Sequence, residues 1–176
     1  VKGISKISVQ TGTAHGGVVL PDGSIASVKL DFNTLEQLSR VAREEYGMGG
    51  AVQHGASTLP DEAFDKFPQV DAVEVHLATG FQNIIYDSPY FPKELLNDIY
   101  SHLSSKYSAE RKQGETEEQF LYKTRKKAFG DFKDEMWHLP EENLKGLRDT
   151  LEERFALLFR KLNVVNTVDI VAKEVA

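Results

Sequence analysis

Val9-Gln10-Thr11-Gly12-Thr13-Ala14-His15-Gly16-Gly17 and Val52-Gln53-His54-Gly55-Ala56-Ser57-Thr58 share one plan: a strand-like run ends in a histidine that a glycine follows at once. A histidine at the end of a parallel strand projects into the mouth of an α/β fold, and the small residue after it lets a ligand approach the backbone amides. A single His-Gly is accounted for by turn geometry, since His tolerates unusual backbone angles and Gly is a default turn residue. Two of them, separated by one helix-sized connection, point instead to a site built from two strand ends. Imidazoles held there can share a metal, and glycine and serine N–H groups beside them can receive an anion such as phosphate.

Outward from these stretches, Ile4 to Thr11 alternates and reads as a strand. Val18-Val19-Leu20, Pro21-Asp22-Gly23 and Ile25 to Leu30 have the form of a hairpin. Asn33 is the expected N-cap of a helix with Glu36 at the capping-box position, and Leu35, Leu38, Val41, Ala42 and Tyr46 form its apolar stripe up to Gly47. Gly50 to Gln53 reads as a short buried strand delivering His54. A helical turn carrying Phe64 and Phe67 runs from Pro60 to Pro68, and Ala72 to Ala78 alternates as a third strand bearing His76. The pattern is that of βαβ units on a parallel sheet.

From Pro92 onward only helices are expected. One carries Leu95, Leu96, Ile99, Tyr100 and Leu103, and a polar linker from Ser104 to Gly114 follows it. Thr116 with Gln119 caps a second helix that runs to about Phe129. After Leu139-Pro140, Leu144, Leu147, Leu151, Phe155, Leu158 and Leu162 mark a long amphipathic helix, with a short helix in the tail from Thr167. Three parallel strands cannot close a barrel. That imbalance, and a chain that enters a strand pattern within a few residues of Val1, lead to the expectation that an upstream part is missing.

Composition narrows the classes. The chain has 176 residues, enough for one domain with a real core, and a formal net charge of −6 that argues against a nucleic-acid-binding surface. The only basic cluster, Lys123 to Lys127, reads as a solvated helix face. Without cysteine, any transition metal must use His, Asp or Glu. No apolar run reaches the length of a membrane span and no signal-peptide pattern opens the chain, so a cytosolic protein is expected. His102 and His138 sit on helix-rich segments without a matching ligand, and Trp137 and the Phe-rich helices read as core or packing surface.

Three stretches, Gly12-Thr13-Ala14-His15-Gly16, His54-Gly55-Ala56-Ser57 and His76-Leu77-Ala78-Thr79, carry a resemblance. They are similar to the Gly-x-x-His-Gly, His-Gly-[Gly/Ala]-[Ser/Thr] and Asn-x-x-Thr segments of the class II, zinc-dependent fructose-bisphosphate (ketose-bisphosphate) aldolases. The resemblance implies an α/β fold, a partial (β/α)8 TIM barrel over residues 1–90 whose strands match the sixth to eighth. A helical C-terminal extension follows over 91–176. It implies that His15 and His54 are zinc ligands, and that Gly16, Gly55, Ser57, His76 and Thr79 bind the substrate and its phosphate. The implied cofactor is Zn2+, with or without a monovalent cation. The implied ligands are a ketose bisphosphate and dihydroxyacetone phosphate, and the implied assembly is a homo-oligomer of the full-length enzyme, with neither nucleic acid nor membrane as partner.

The departures matter as much. Position 76 is His where the family has Asn, and position 78 is Ala where some members have Asp. The family's third zinc histidine, its catalytic aspartate and its flexible-loop glutamate have no counterpart here, so the chain by itself is expected to be inactive or nearly so. Glu74, read as facing away from His76, is set aside as a replacement base. The competing reading is a non-catalytic sugar-phosphate-binding or assembly module.

Overall fold

The computed structural model describes residues 3–175. Three short strands, β1 (Ile7–Ser8), β2 (Ala51–Gln53) and β3 (Glu74–Val75), form a parallel sheet in the order β1-β2-β3. The register pairs Ile7 with Ala51 and Ser8 with Val52, then Val52 with Glu74 and Gln53 with Val75. The partial TIM barrel expected from the resemblance is overturned, because the chain is 55% helical and this small sheet does not fit such a barrel. A barrel needs eight strands of matched tilt and stagger. Here the strands are two or three residues long and, among the described residues, both edges of the sheet are open.

Only the middle strand is fully buried, as befits a parallel strand with a neighbour on each side. The expected strand over Ile4 to Thr11 shrinks to two exposed residues because β2 is its only partner among the described strands. The expected hairpin reduces to one antiparallel bridge, Val19 with Ile25, closed by Leu20 N–H on Ser24 O at 2.8 Å.

Helix α1 (Phe32–Glu44) connects β1 to β2. Its cap is Asp31 rather than Asn33: the Asp31 carboxylate accepts Thr34 N–H at 3.0 Å and the Thr34 hydroxyl at 2.7 Å. Leu35 and Ala42 of the expected stripe are buried, whereas Leu38 and Tyr46 are exposed. Ser39, on the buried side, donates to Asp71 O at 2.7 Å and accepts Ala51 N–H at 3.0 Å, tying the helix to β2 and to the approach to β3.

Two 3-10 turns, Ala56–Thr58 and Asp61–Ala63, and helix α2 (Lys66–Gln69) lead to β3. Pro68 lies inside α2 and does not end it. Helix α3 (Thr79–Tyr86), which the sequence pattern did not announce, leaves the end of β3 directly. The remainder is helical as expected: α4 (Lys93–Lys106), α5 (Glu117–Thr124), α6 (Ala128–Asp131), α7 (Lys133–Trp137), α8 (Glu141–Lys161) and α9 (Val168–Glu174). The Thr116–Gln119 capping box forms in both directions, but α5 stops at Thr124 and gives way to a 3-10 turn at Arg125–Lys127.

Two apolar clusters hold these elements. One joins Leu30, Leu35, Ala51, Ala56, Leu59, Phe64 and Phe67 with Leu158 of α8. The other joins Tyr86, Phe91, Ile99, Leu103, Ala128 and Leu147. Helix α8 therefore contributes to both. Trp137, expected to pack, is 74% exposed. None of the described helices is long and apolar enough to cross a membrane.

Candidate functional site

The parallel register carries the site. Gln53 pairs with Val75, so the next residue along each strand, His54 and His76, emerges at the same level, and His76 N–H donates to Gln53 O at 2.9 Å. Their imidazoles lie 4.3 Å apart, centroid to centroid. The His15 ring comes in from the loop after β1 and lies 5.6 Å from that of His54. A pocket of about 200 Å3 opens beside them, lined by His15, Gly16, His54, Gly55, Ser57, His76, Leu77, Ala78 and Thr79. All seven residues singled out from the sequence thus meet at one place. A larger cavity of about 510 Å3, between Arg43, Asp71, Val73 and Leu162, has no histidine in its wall.

Backbone geometry explains the glycines. Gly55 has φ of 70°, and a Cβ there would lie 3.0 Å from both Ala14 O and Thr13 Oγ1, so the second loop can nest against the first only without a side chain. Beneath them runs a buried polar network. The Thr11 hydroxyl donates to Gln53 Oε1 at 2.6 Å, and Gln53 Nε2 donates to Thr13 Oγ1 at 2.9 Å and to His54 O. The Thr13 hydroxyl also donates to His54 O at 2.7 Å. Gln53 and Thr11 are both buried. A buried glutamine must satisfy its amide, and here it does so by joining the two histidine loops.

On the far wall, Ser57 Oγ accepts Ala78 N–H at 3.1 Å, so the serine joins the 3-10 turn after β2 to the residue preceding α3. The Tyr122 hydroxyl of α5 donates to Gly16 O at 3.2 Å, latching the first loop to the helical half. Lys123, Lys126 and Lys127 line an adjoining cavity of about 320 Å3 that shares His15, Gly16 and Thr79 with the pocket. The cluster expected as a solvated face divides: Lys123 pairs with Glu115 and Lys127 with Glu110, while Arg125 is buried. His102 and His138 stand apart from the pocket and pair with Asp131 and Asp134.

Glu74 faces His76 and not away from it as expected. Residues two apart on a strand share a face, and the Glu74 carboxylate contacts both His76 Nε2 and the Lys6 ammonium. The hydrogen bond from Lys6, then that from His76, holds the Glu74 carboxyl below the ordinary carboxylate range.

The donor set suits a zinc ion in chemistry, two imidazoles flanked by glycine-bearing loops. Among the described residues, no three His, Asp or Glu side chains are arranged to hold a metal ion. Burial, then the neighbouring His76 and His15, hold the His54 imidazole below its ordinary value, which favours the neutral, ligating form. An unfolded chain protonates this histidine near pH 6.5; the folded one resists. Between pH 6.5 and the lower folded midpoint, the unfolded state binds more protons, so His54 subtracts stability as pH falls and nothing above that window. An NMR titration of the metal-free chain is expected to place the His54 midpoint below 6.5; a midpoint at or above that value contradicts the clustering.

No protein-family model matches this chain, and no curated protein matches its sequence.

Proposed function

We propose that this chain supplies the metal- and phosphate-binding side of a class II ketose-bisphosphate aldolase site, acting on fructose bisphosphate or a close relative and its dihydroxyacetone phosphate product. The observation that supports it most is the gathering of His15, Gly16, His54, Gly55, Ser57, His76 and Thr79 on one pocket, with the His15 and His54 rings 5.6 Å apart.

In this reading His15 and His54 hold the zinc, and a bound zinc supplies Lewis acidity toward the substrate's carbonyl oxygen. The chain's own residues do the rest of the binding. Backbone N–H groups around Gly16 and Gly55 face the phosphate, with the hydroxyls of Ser57 and Thr79 as further donors. Anchoring that phosphate fixes where the carbonyl lies, which converts binding into orientation. His76 contacts the sugar portion. Cleavage also requires a base for the C4 hydroxyl proton, and none of the residues lining the pocket is a carboxylic acid. That observation favours a second reading, sugar-phosphate binding without catalysis. The aldolase reading carries with it a cytoplasmic setting and a homo-oligomeric full-length enzyme.

Zinc titration of the purified chain tests the metal half. One zinc per chain is expected, with His15→Ala and His54→Ala each weakening it at least about tenfold, since each removes one of two protein ligands. No binding, or equal binding in both variants and the parent, overturns it.

A further inference from the structure

Glu74, itself outside the pocket lining, forms a carboxylate–imidazole pair with His76, which lines it. The contact falls on His76 Nε2. An ionised carboxylate is an acceptor only, so the neutral imidazole must carry its hydrogen on Nε2, and Nδ1 is left as an acceptor. The other side of the carboxylate is engaged by Lys6, which precedes β1, so the ion pair reaches across β2 and keeps Glu74 from swinging to other partners. Half of the His76 side chain remains accessible, and its ring lines the pocket beside His54. An asparagine at this position would offer both a donor and an acceptor; the Glu74-bound histidine offers an acceptor alone.

We propose that Glu74 is a positioning residue: it fixes the tautomer of His76 so that Nδ1 accepts a hydrogen bond from a hydroxyl of the phosphorylated triose unit seated in the pocket. The proposal rests on the sugar-phosphate reading of that pocket, and its selectivity is for a ligand that brings a hydroxyl donor. Lys6 acts on the ligand only through Glu74.

Two readouts on the intact chain separate the steps. Long-range 1H–15N correlation of the metal-free protein reports the His76 tautomer with no ligand present, and titration of the zinc-loaded protein with dihydroxyacetone phosphate reports binding. The parent is expected to show a protonated Nε2 and an unprotonated Nδ1. Glu74→Gln is expected to mix the tautomers and weaken dihydroxyacetone phosphate by the factor by which the competent tautomer's share falls, about twofold for an even mixture. Glu74→Asp is expected to restore part of both, and Lys6→Met to retain the tautomer. An unchanged tautomer in Glu74→Gln overturns the proposal, as does unchanged ligand affinity in a variant whose tautomer has changed. Failure of the parent to bind dihydroxyacetone phosphate overturns the pocket reading, and this proposal with it; failure confined to the Glu74 variants' response leaves the pocket reading standing.

Discussion

Phe64→Ala is expected to cost about 3–5 kcal/mol of folding stability, read as a lowered midpoint in chemical denaturation at unchanged slope. Phe64 is completely buried. Its ring meets that of Phe67 at 5.8 Å edge-on, and the Arg154 guanidinium of α8 lies 5.5 Å above it while bonding Asp61 at 2.5 Å. Leu30, Leu35, Leu59 and Leu158 belong to the same cluster. Truncation removes the transfer gain of the ring and leaves a void whose lining loses its contacts, because packed interiors relax only in part. The cluster draws on α1, β2, the turns that follow it and α8. The loss should therefore also loosen the segment that presents His54 and Ser57, and faster amide exchange there is expected. A cost below about 1 kcal/mol contradicts the packing described.

Arg125→Ala is expected to cost about 2 kcal/mol by the same measurement. This side chain is 4% exposed. Its guanidinium donates to Asp87 Oδ1 at 2.7 Å and to Asn83 Oδ1 at 2.6 Å, and lies 4.7 Å from the Tyr122 ring and 5.4 Å from that of Tyr86. It thus pins α3 to the segment that follows α5. Truncation strips the aromatic faces of their cover and leaves Asn83 without its donor, while Asp87, whose side chain is largely exposed, returns to water. Arg125→Met keeps most of the volume and removes only the charge and the hydrogen bonds, so it is expected to cost less than Arg125→Ala. Equal costs would assign the whole effect to the polar contacts, and a negligible cost for Arg125→Ala would show that this pin does not hold the two regions together.

Much of the candidate site was legible because strand-end histidines followed by glycine are a local feature. Register then brought His54 and His76 level, and no long-range information beyond parallel pairing was needed for that. Strand alternation also places Glu74 on the His76 face, the reverse of the expectation stated for it, because residues two apart share a face. Gln53 was hidden. A single glutamine next to His54 carries no signal that Thr11 and Thr13 will close around it. Arg125 was hidden for a related reason: within Lys123 to Lys127 it looks like one more solvated cation, and only the arrival of α3 makes it the buried one.

By itself the amino-acid sequence determined where helices begin when the signal is local. The Thr116–Gln119 box, the Pro92 and Pro140 starts and the apolar stripes of α4 and α8 depend on residues within one or two turns. It also determined the parallel character of the sheet, through the helical connection between similar strand runs. Tertiary structure alone decided how long the strands are and what the sheet becomes. A strand lasts only where a neighbour supplies hydrogen bonds, so alternation over Ile4 to Thr11 and over Ala72 to Ala78 yielded two residues each beside the buried β2. It also decided which polar side chains are enclosed, because burial is set by elements that arrive from distant parts of the chain, as α8 does over Phe64 and α3 over Arg125.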